Sequence, residues 1–111
     1  MNKQVATGLL IATLSLGSTA AGLGEQVSAM SEAGRQKFIG VIVRQSGAQC
    51  PAVKRTFFQG VLPDRSAIWN IGCNSRDNYG IVFADDAANS TRVVKCSEVK
   101  ALAGAECFRK F

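Results

Sequence analysis

Four cysteines are the feature that most constrains how this chain folds. They are Cys50, Cys73, Cys96 and Cys107, and all of them follow an apolar N-terminal segment. An even number of cysteines in a small exported chain indicates two disulfides. A core built by roughly 80 to 90 residues supplies only a few kcal/mol, and each disulfide adds about 2–4 kcal/mol by restricting the unfolded chain. The sequence therefore predicts a small domain that is held together by covalent links.

The N-terminal segment has the pattern of a secretory signal. Lys3 provides a positive charge, residues 5–16 (VATGLLIATLSL) form an apolar run, and small residues follow. A helix that crosses a membrane needs about 20 apolar residues, so this run is too short for an integral membrane protein. We predict a signal peptide over residues 1–21, with cleavage as late as Ala29 left open, and one domain over 22–111. The expected location is periplasmic or secreted.

The segment 31–46 (SEAGRQKFIGVIVRQS) favours a helix. Ser31 suits the position that caps a helix N-terminus, and Phe38 and Ile42 recur at helical spacing. A strand is the alternative, because the letters IGVIV at 39–43 alternate and include β-branched residues. We prefer the helix, and we expect it to pack against a sheet.

The rest of the chain predicts an antiparallel sheet. Short stretches of strand-forming residues are separated by polar loops, as in a meander of hairpins. A short C-terminal helix over 97–104 (SEVKALAG) follows them. The predicted strands are 53–59, 67–73, 79–84 and 91–96. The fold class is therefore α+β: an N-terminal helix packed on a four-stranded antiparallel meander, a short C-terminal helix and two disulfides.

The cysteines lie at the ends of these predicted elements. Four cysteines permit three pairings, and the sequence does not exclude any of them. We prefer Cys50–Cys73 with Cys96–Cys107, because the first link pins the helix to the sheet and the second pins the C-terminal segment to the last strand.

A resemblance accompanies this pattern. The motif VRQSGAQC…V…FFQG…W…C…Y…DD…V…C…CFRKF, from about Val43 to Phe111, resembles short exported proteins of alphaproteobacteria that carry four cysteines and mostly have no assigned function. The order of a helix and then a meander is also similar to the PepSY domain and, more loosely, to β-lactamase inhibitor protein and outer-membrane assembly lipoprotein folds. The resemblance implies an exported binding or inhibitory module without catalysis.

The residue types present give little support to catalysis. The chain has no histidine, which excludes serine–histidine and cysteine–histidine mechanisms and removes the commonest metal ligand. No two cysteines have the two-residue spacing of zinc or redox motifs. Asp85 and Asp86 are adjacent and favour a turn over a pair of acid–base carboxylates. We therefore expect no catalytic residue, no metal and no cofactor; a small hydrolase would need converging carboxylates or a Ser–Lys pair in a deep pocket.

The aromatic residues and the charge suggest a binding role. The net charge is +5, but no long basic run or glycine-rich phosphate loop is present, so we expect no nucleic-acid partner. The principal hypothesis is a monomeric module that binds an envelope protein through a sheet face or edge. The alternative is a basic effector that binds membranes or anionic envelope polymers. Some of the aromatic residues could instead form the core. The candidate binding surface consists of Lys54, Arg55, Phe57, Phe58, Trp69 and Tyr79.

Overall fold

A computed structural model describes residues 22–74 and 76–111, and the predicted signal peptide at 1–21 lies outside them. The predicted α+β fold is confirmed over the described residues. In chain order the elements are α1 (Leu23–Ala29), α2 (Glu32–Gln45), β1 (Val53–Val61), β2 (Ala67–Cys73), β3 (Tyr79–Phe83), β4 (Thr91–Lys95) and α3 (Cys96–Ala103).

The four strands form one antiparallel meander in the order β1-β2-β3-β4, so β1 and β4 are the edges. Aspartates organise two of the connections. Asp64 Oδ1 accepts a hydrogen bond of 2.9 Å from the Ser66 N–H, and Asp86 Oδ1 accepts one of 2.9 Å from the Ser90 N–H. These backbone hydrogen bonds hold the pKa of both carboxyls below the ordinary value. Asp86 therefore serves a turn, as Asx turns do.

Helix α2 confirms the predicted helix in the segment after Ser31. The Ser31 hydroxyl accepts a hydrogen bond of 3.0 Å from the Gly34 N–H, which caps the helix. Ile39 and Val43 are fully buried, whereas Val41 between them is 47% exposed. A strand would place these three side chains on one face, so their burial follows the helical period.

Helix α1 was not predicted from the sequence. Its Val27 is fully buried in the core. Gly24 lies so close to β2 that a Cβ at this position would be 2.7 Å from the Ala67 Cβ. The glycine at position 24 therefore lets this helix approach the sheet closely.

The central strands are buried on both faces. Every residue of β3 is buried, and so is every residue of β2 except Ala67. Helices α1 and α2 cover one face; α3 and the C-terminal tail (residues 104–111) cover the other. The core on the α1–α2 side contains Val27, Ile39, Val43, Cys50, Trp69, Ile71, Cys73, Tyr79, Ile81 and Phe83.

The two predicted disulfides are confirmed with the preferred pairing. Cys50–Cys73 spans 23 residues and joins the segment after α2 to the end of β2. Cys96–Cys107 spans 11 residues and joins the start of α3 to the tail. No cysteine is left free, so no thiol is available for nucleophilic or redox chemistry in this form.

Two strand glycines test how closely α3 packs on the sheet. A Cβ on Gly80 would lie 2.6 Å from Cγ2 of the fully buried, stiff Val99, whereas a Cβ on Gly72 would make an ordinary 3.5 Å contact with Arg55 Cγ. We expect Gly80→Ala to lower the free energy of unfolding by about 1–3 kcal/mol through overpacking. Gly72→Ala, the matched control, should be neutral or stabilising by up to about 1 kcal/mol. Denaturant titration followed by the fluorescence of Trp69 measures both; equal effects would contradict this packing.

Candidate binding surfaces

Two residues of the predicted binding surface lie in the core. Trp69 is 4% exposed and Tyr79 is 5% exposed. Trp69 packs against the Phe58 ring, with 5.3 Å between centroids, and the Arg35 guanidinium lies 5.0 Å from the Trp69 ring. Both side chains therefore pack in the core, as the core alternative describes.

The C-terminal tail contacts both phenylalanines of β1. Phe57 and Phe58 point to opposite faces of the sheet and are both half-buried. The Phe57 ring centroid is 6.1 Å from that of Phe108, and Lys110 Nζ lies 4.4 Å from the Phe58 ring. The Arg55 guanidinium stacks over Phe108 at 4.0 Å. Of the six predicted residues, Lys54 and Arg55 are the ones classed as exposed.

A buried pair of amide side chains holds the tail on the sheet. Gln59 and Asn70 are both fully buried, and Asn70 Nδ2 donates to Gln59 Oε1 at 2.9 Å. Gln59 Nε2 donates to the carbonyl oxygens of Glu106 at 2.8 Å and Ala105 at 3.3 Å. Asn70 Oδ1 accepts from the Phe108 N–H at 2.6 Å. These contacts satisfy buried polar groups that would otherwise be costly.

This amide pair was not predicted from the sequence. Its only local signal is a polar residue in the middle of the apolar strand AIWNIGC, and that signal does not identify the partner. The tail contacts it through main-chain atoms, which leave no pattern in the tail sequence.

The β1 edge is covered by the first turn of α2. Glu32 accepts hydrogen bonds from the Thr56 N–H at 2.9 Å, from the Thr56 hydroxyl at 2.6 Å and from Gln36 Nε2 at 2.9 Å. Burial by itself raises the pKa of Glu32, but the hydrogen bonds from Thr56 and Gln36 outweigh it and lower the pKa below its ordinary value of 4.5. One outward main-chain donor of β1 is thus already occupied.

The β4 edge, in contrast, faces outward. Main-chain hydrogen bonds from Ala84 to Ser90 (2.9 Å) and from Cys96 to Asn78 (3.0 Å) bracket the β3–β4 ladder. Hydrogen-bonded pairs alternate along an antiparallel ladder, so every second residue of β4 directs its main chain away from β3. The residues with outward N–H groups are Thr91, Val93 and Lys95.

A groove runs beside this edge. It is open to solvent, has a volume of about 440 Å³, and lies between the loop after α2 and the first turn of α3. Its lining is mixed, with valine, tyrosine and both signs of charge. The residues that line it are Ser46, Gly47, Ala48, Gln49, Asp77, Tyr79, Val93, Val94, Lys95 and Glu98.

A second, smaller cavity of about 210 Å³ lies beside α1. Phe58, Ala67 and Phe83 contribute apolar lining, and the ion pair between Arg65 Nε and Asp85 Oδ2 (2.8 Å) lies at its margin. Within residues 22–74 and 76–111, no cluster of cysteine, aspartate and glutamate side chains is arranged to hold a metal ion.

In comparisons with known proteins, no family model, no curated protein and no solved structure matches this chain. None of the helices in the described part of the chain combines the length and apolar character needed to cross a membrane. The candidate surfaces must therefore be judged on their own geometry.

The amide pair yields a first test of how the tail is held. Asn70→Ala removes the acceptor of the Phe108 N–H and one partner of Gln59, so buried groups lose their hydrogen bonds. We expect the free energy of unfolding to fall by about 1–3 kcal/mol for each buried group left without a hydrogen bond. The Phe108 amide should also lose hydrogen-exchange protection in NMR spectra while amides in β2 and β3 remain protected. Unchanged protection of the Phe108 amide would show that the amide pair does not hold the tail.

The lowered pKa of Glu32 yields a test with pH. Because the folded pKa lies below the unfolded one, the ionised carboxylate stabilises the fold above the ordinary pKa of 4.5, and this contribution is lost as pH falls through the lowered value. The gap in denaturation midpoint between wild type and Glu32→Gln should therefore be largest near neutral pH and should shrink below pH 4.5. A gap that is constant with pH would contradict the role of the Glu32 charge at the β1 edge.

Proposed function

We propose that this protein is a non-catalytic exported binding module that accepts an extended segment of an envelope protein on the β4 edge. The bound segment would add a fifth strand to the sheet, a mode in which main-chain hydrogen bonds give affinity and neighbouring pockets give specificity. The proposal places the protein in the periplasm or outside the cell.

The observation that carries this proposal is the contrast between β4 and the other boundaries of the sheet. Helices α1 and α2 cover one face, while α3 and the tail cover the other. Glu32 occupies an outward donor of the β1 edge. The N–H groups of Thr91, Val93 and Lys95 point away from β3, and within residues 22–74 and 76–111 no acceptor contacts them. An edge strand with unpaired main-chain groups is a template for another strand.

The groove beside β4 supports the same mode. Side chains of an added strand alternate between the two faces, and the groove is lined by Val93 on the α1–α2 face and by Val94 on the opposite face. Arg92 and Lys95 are exposed on β4 and put positive charge on the edge of every copy. This charge disfavours pairing between two copies, so we expect a monomer that selects a different partner.

The proposed location rests on two features. Disulfides persist in oxidising compartments, and both cystines contribute to this fold. The N-terminal segment also has the pattern of a secretory signal.

Proline at position 93 tests the edge directly. The Val93 N–H points away from β3, so Val93→Pro removes an outward donor without removing a bond of the β3–β4 ladder. We expect this variant to keep its fold and its thermal midpoint of unfolding. The binding partner is a protein that the oxidised mature wild-type chain captures from solubilised cell envelope, and we expect the variant to bind it at least tenfold more weakly than wild type does. The equilibrium is measured by titration with the purified captured protein.

Val93→Thr is the matched control, because it changes the side chain and keeps the N–H. It should bind within about threefold of wild type, a difference smaller than one main-chain hydrogen bond contributes. Equal binding by wild type and Val93→Pro would exclude strand addition at β4. Hydrogen exchange of the complex would also exclude it, if the captured protein protects other amides and leaves the N–H groups of Thr91 and Lys95 exposed to exchange.

A further inference from the structure

The net positive charge of the described chain lies on one surface around the tail. Apart from Lys3, the sequence has twelve basic and eight acidic residues. Five of the basic residues and one acidic residue, Glu106, lie on or beside the tail, which leaves seven basic and seven acidic residues for the rest. We call these five basic residues the tail surface: Lys54, Arg55, Lys100, Arg109 and Lys110.

Contacts place these cations on one continuous surface. A Cβ on Gly72 would meet Arg55, Phe108 and Lys54 within 4 Å, so the start of β1 adjoins the tail. The tail then continues into an open recess of about 450 Å³ that is lined by Lys100, Gly104, Ala105, Glu106, Arg109 and Lys110.

In the described part of the chain, no acidic side chain forms an ion pair with a cation of the tail surface. The ion pairs found among residues 22–74 and 76–111 join Arg35 to Glu32 and Arg65 to Asp85. Two cations of the tail surface instead stack on aromatic rings, Arg55 over Phe108 at 4.0 Å and Lys110 over Phe58 at 4.4 Å. Stacking holds the charged groups in place and leaves their charge available to an external anion.

An exposed aromatic side chain lies at the end of this surface. Phe111 is 43% exposed and follows Lys110. Its ring lies against Gly60, where a Cβ would come within 2.9 Å, so the glycine is needed for this close approach. A partly exposed aromatic ring beside cations suits the boundary between lipid head groups and acyl chains better than a fully hydrated polymer.

We propose that the tail surface binds the anionic face of a lipid bilayer through its phosphodiester head groups, with Phe111 at the level of the head groups. This site is separate from the β4 edge and does not depend on strand addition there. Each Lys or Arg near an anionic membrane contributes about 1 kcal/mol, which corresponds to about a fivefold change in partition coefficient.

Vesicle co-sedimentation of the full oxidised domain tests the proposal. The probes are vesicles of phosphatidylcholine alone and vesicles with phosphatidylcholine and phosphatidylglycerol in a two-to-one ratio. We expect binding to the mixed vesicles only, and we expect it to weaken as salt shortens the range of the charges. The test variant combines Lys54→Gln, Lys100→Gln and Arg109→Gln, which spares the stacked cations Arg55 and Lys110. It should bind about fivefold more weakly per charge removed.

The matched control combines Lys37→Gln, Arg76→Gln and Arg92→Gln. These side chains are exposed, and this variant has the same net charge as the test variant. It should bind within about twofold of wild type, because its charges lie away from the tail surface. Equal losses in the two variants would show a net-charge effect and overturn the site. The proposal is also overturned if wild type does not sediment with the mixed vesicles.

Discussion

Burial of both faces of β2 and β3 is the constraint on which the rest of this structure depends. A sheet buried on both faces needs a covering layer on each side. Helices α1 and α2 provide one layer with a continuous apolar core. Among the described residues, the other layer consists of the eight-residue α3 and the tail, and Val99 is the one apolar side chain of these two segments that is fully buried. This layer therefore gains little from apolar burial. The Cys96–Cys107 disulfide and the Gln59–Asn70 amides hold it on the sheet.

The same arrangement decides which parts of the sheet remain available. Tail residues lie over β1 and stack on its aromatic side chains, while Glu32 occupies an outward donor of that strand. Among the described residues β4 has no corresponding cover, because the chain turns from Lys95 directly into α3 at the end of the strand. Covering the second face with the tail also concentrates Arg109 and Lys110 on one side of the molecule. The exposure of the β4 edge and the position of the tail surface thus both follow from how the chain covers the sheet.

Local patterns predicted the elements because each is determined by near neighbours. The predicted strand at 67–73 matches β2, and the predicted helix at 31–46 differs from α2 by one residue at each end. Helix α1 was not predicted because its small residues acquire a role only against Ala67 of the sheet. Likewise, Trp69 lies in the core because two helices cover its face of the sheet. Packing between distant segments decides which face the helices cover. The main-chain contacts of the tail with Asn70 leave no side-chain signal at all.

Disulfide mapping of the non-reduced protein, recovered from the cells that produce it, tests the central claim most directly. Proteolysis and mass spectrometry should yield one peptide pair linked by Cys50–Cys73 and one linked by Cys96–Cys107, with no alkylated thiol. The second link is decisive, because it fixes the tail over the second face of the sheet. Free thiols at Cys96 and Cys107, or a link from Cys107 to Cys50 or Cys73, would contradict this account of how the sheet is covered.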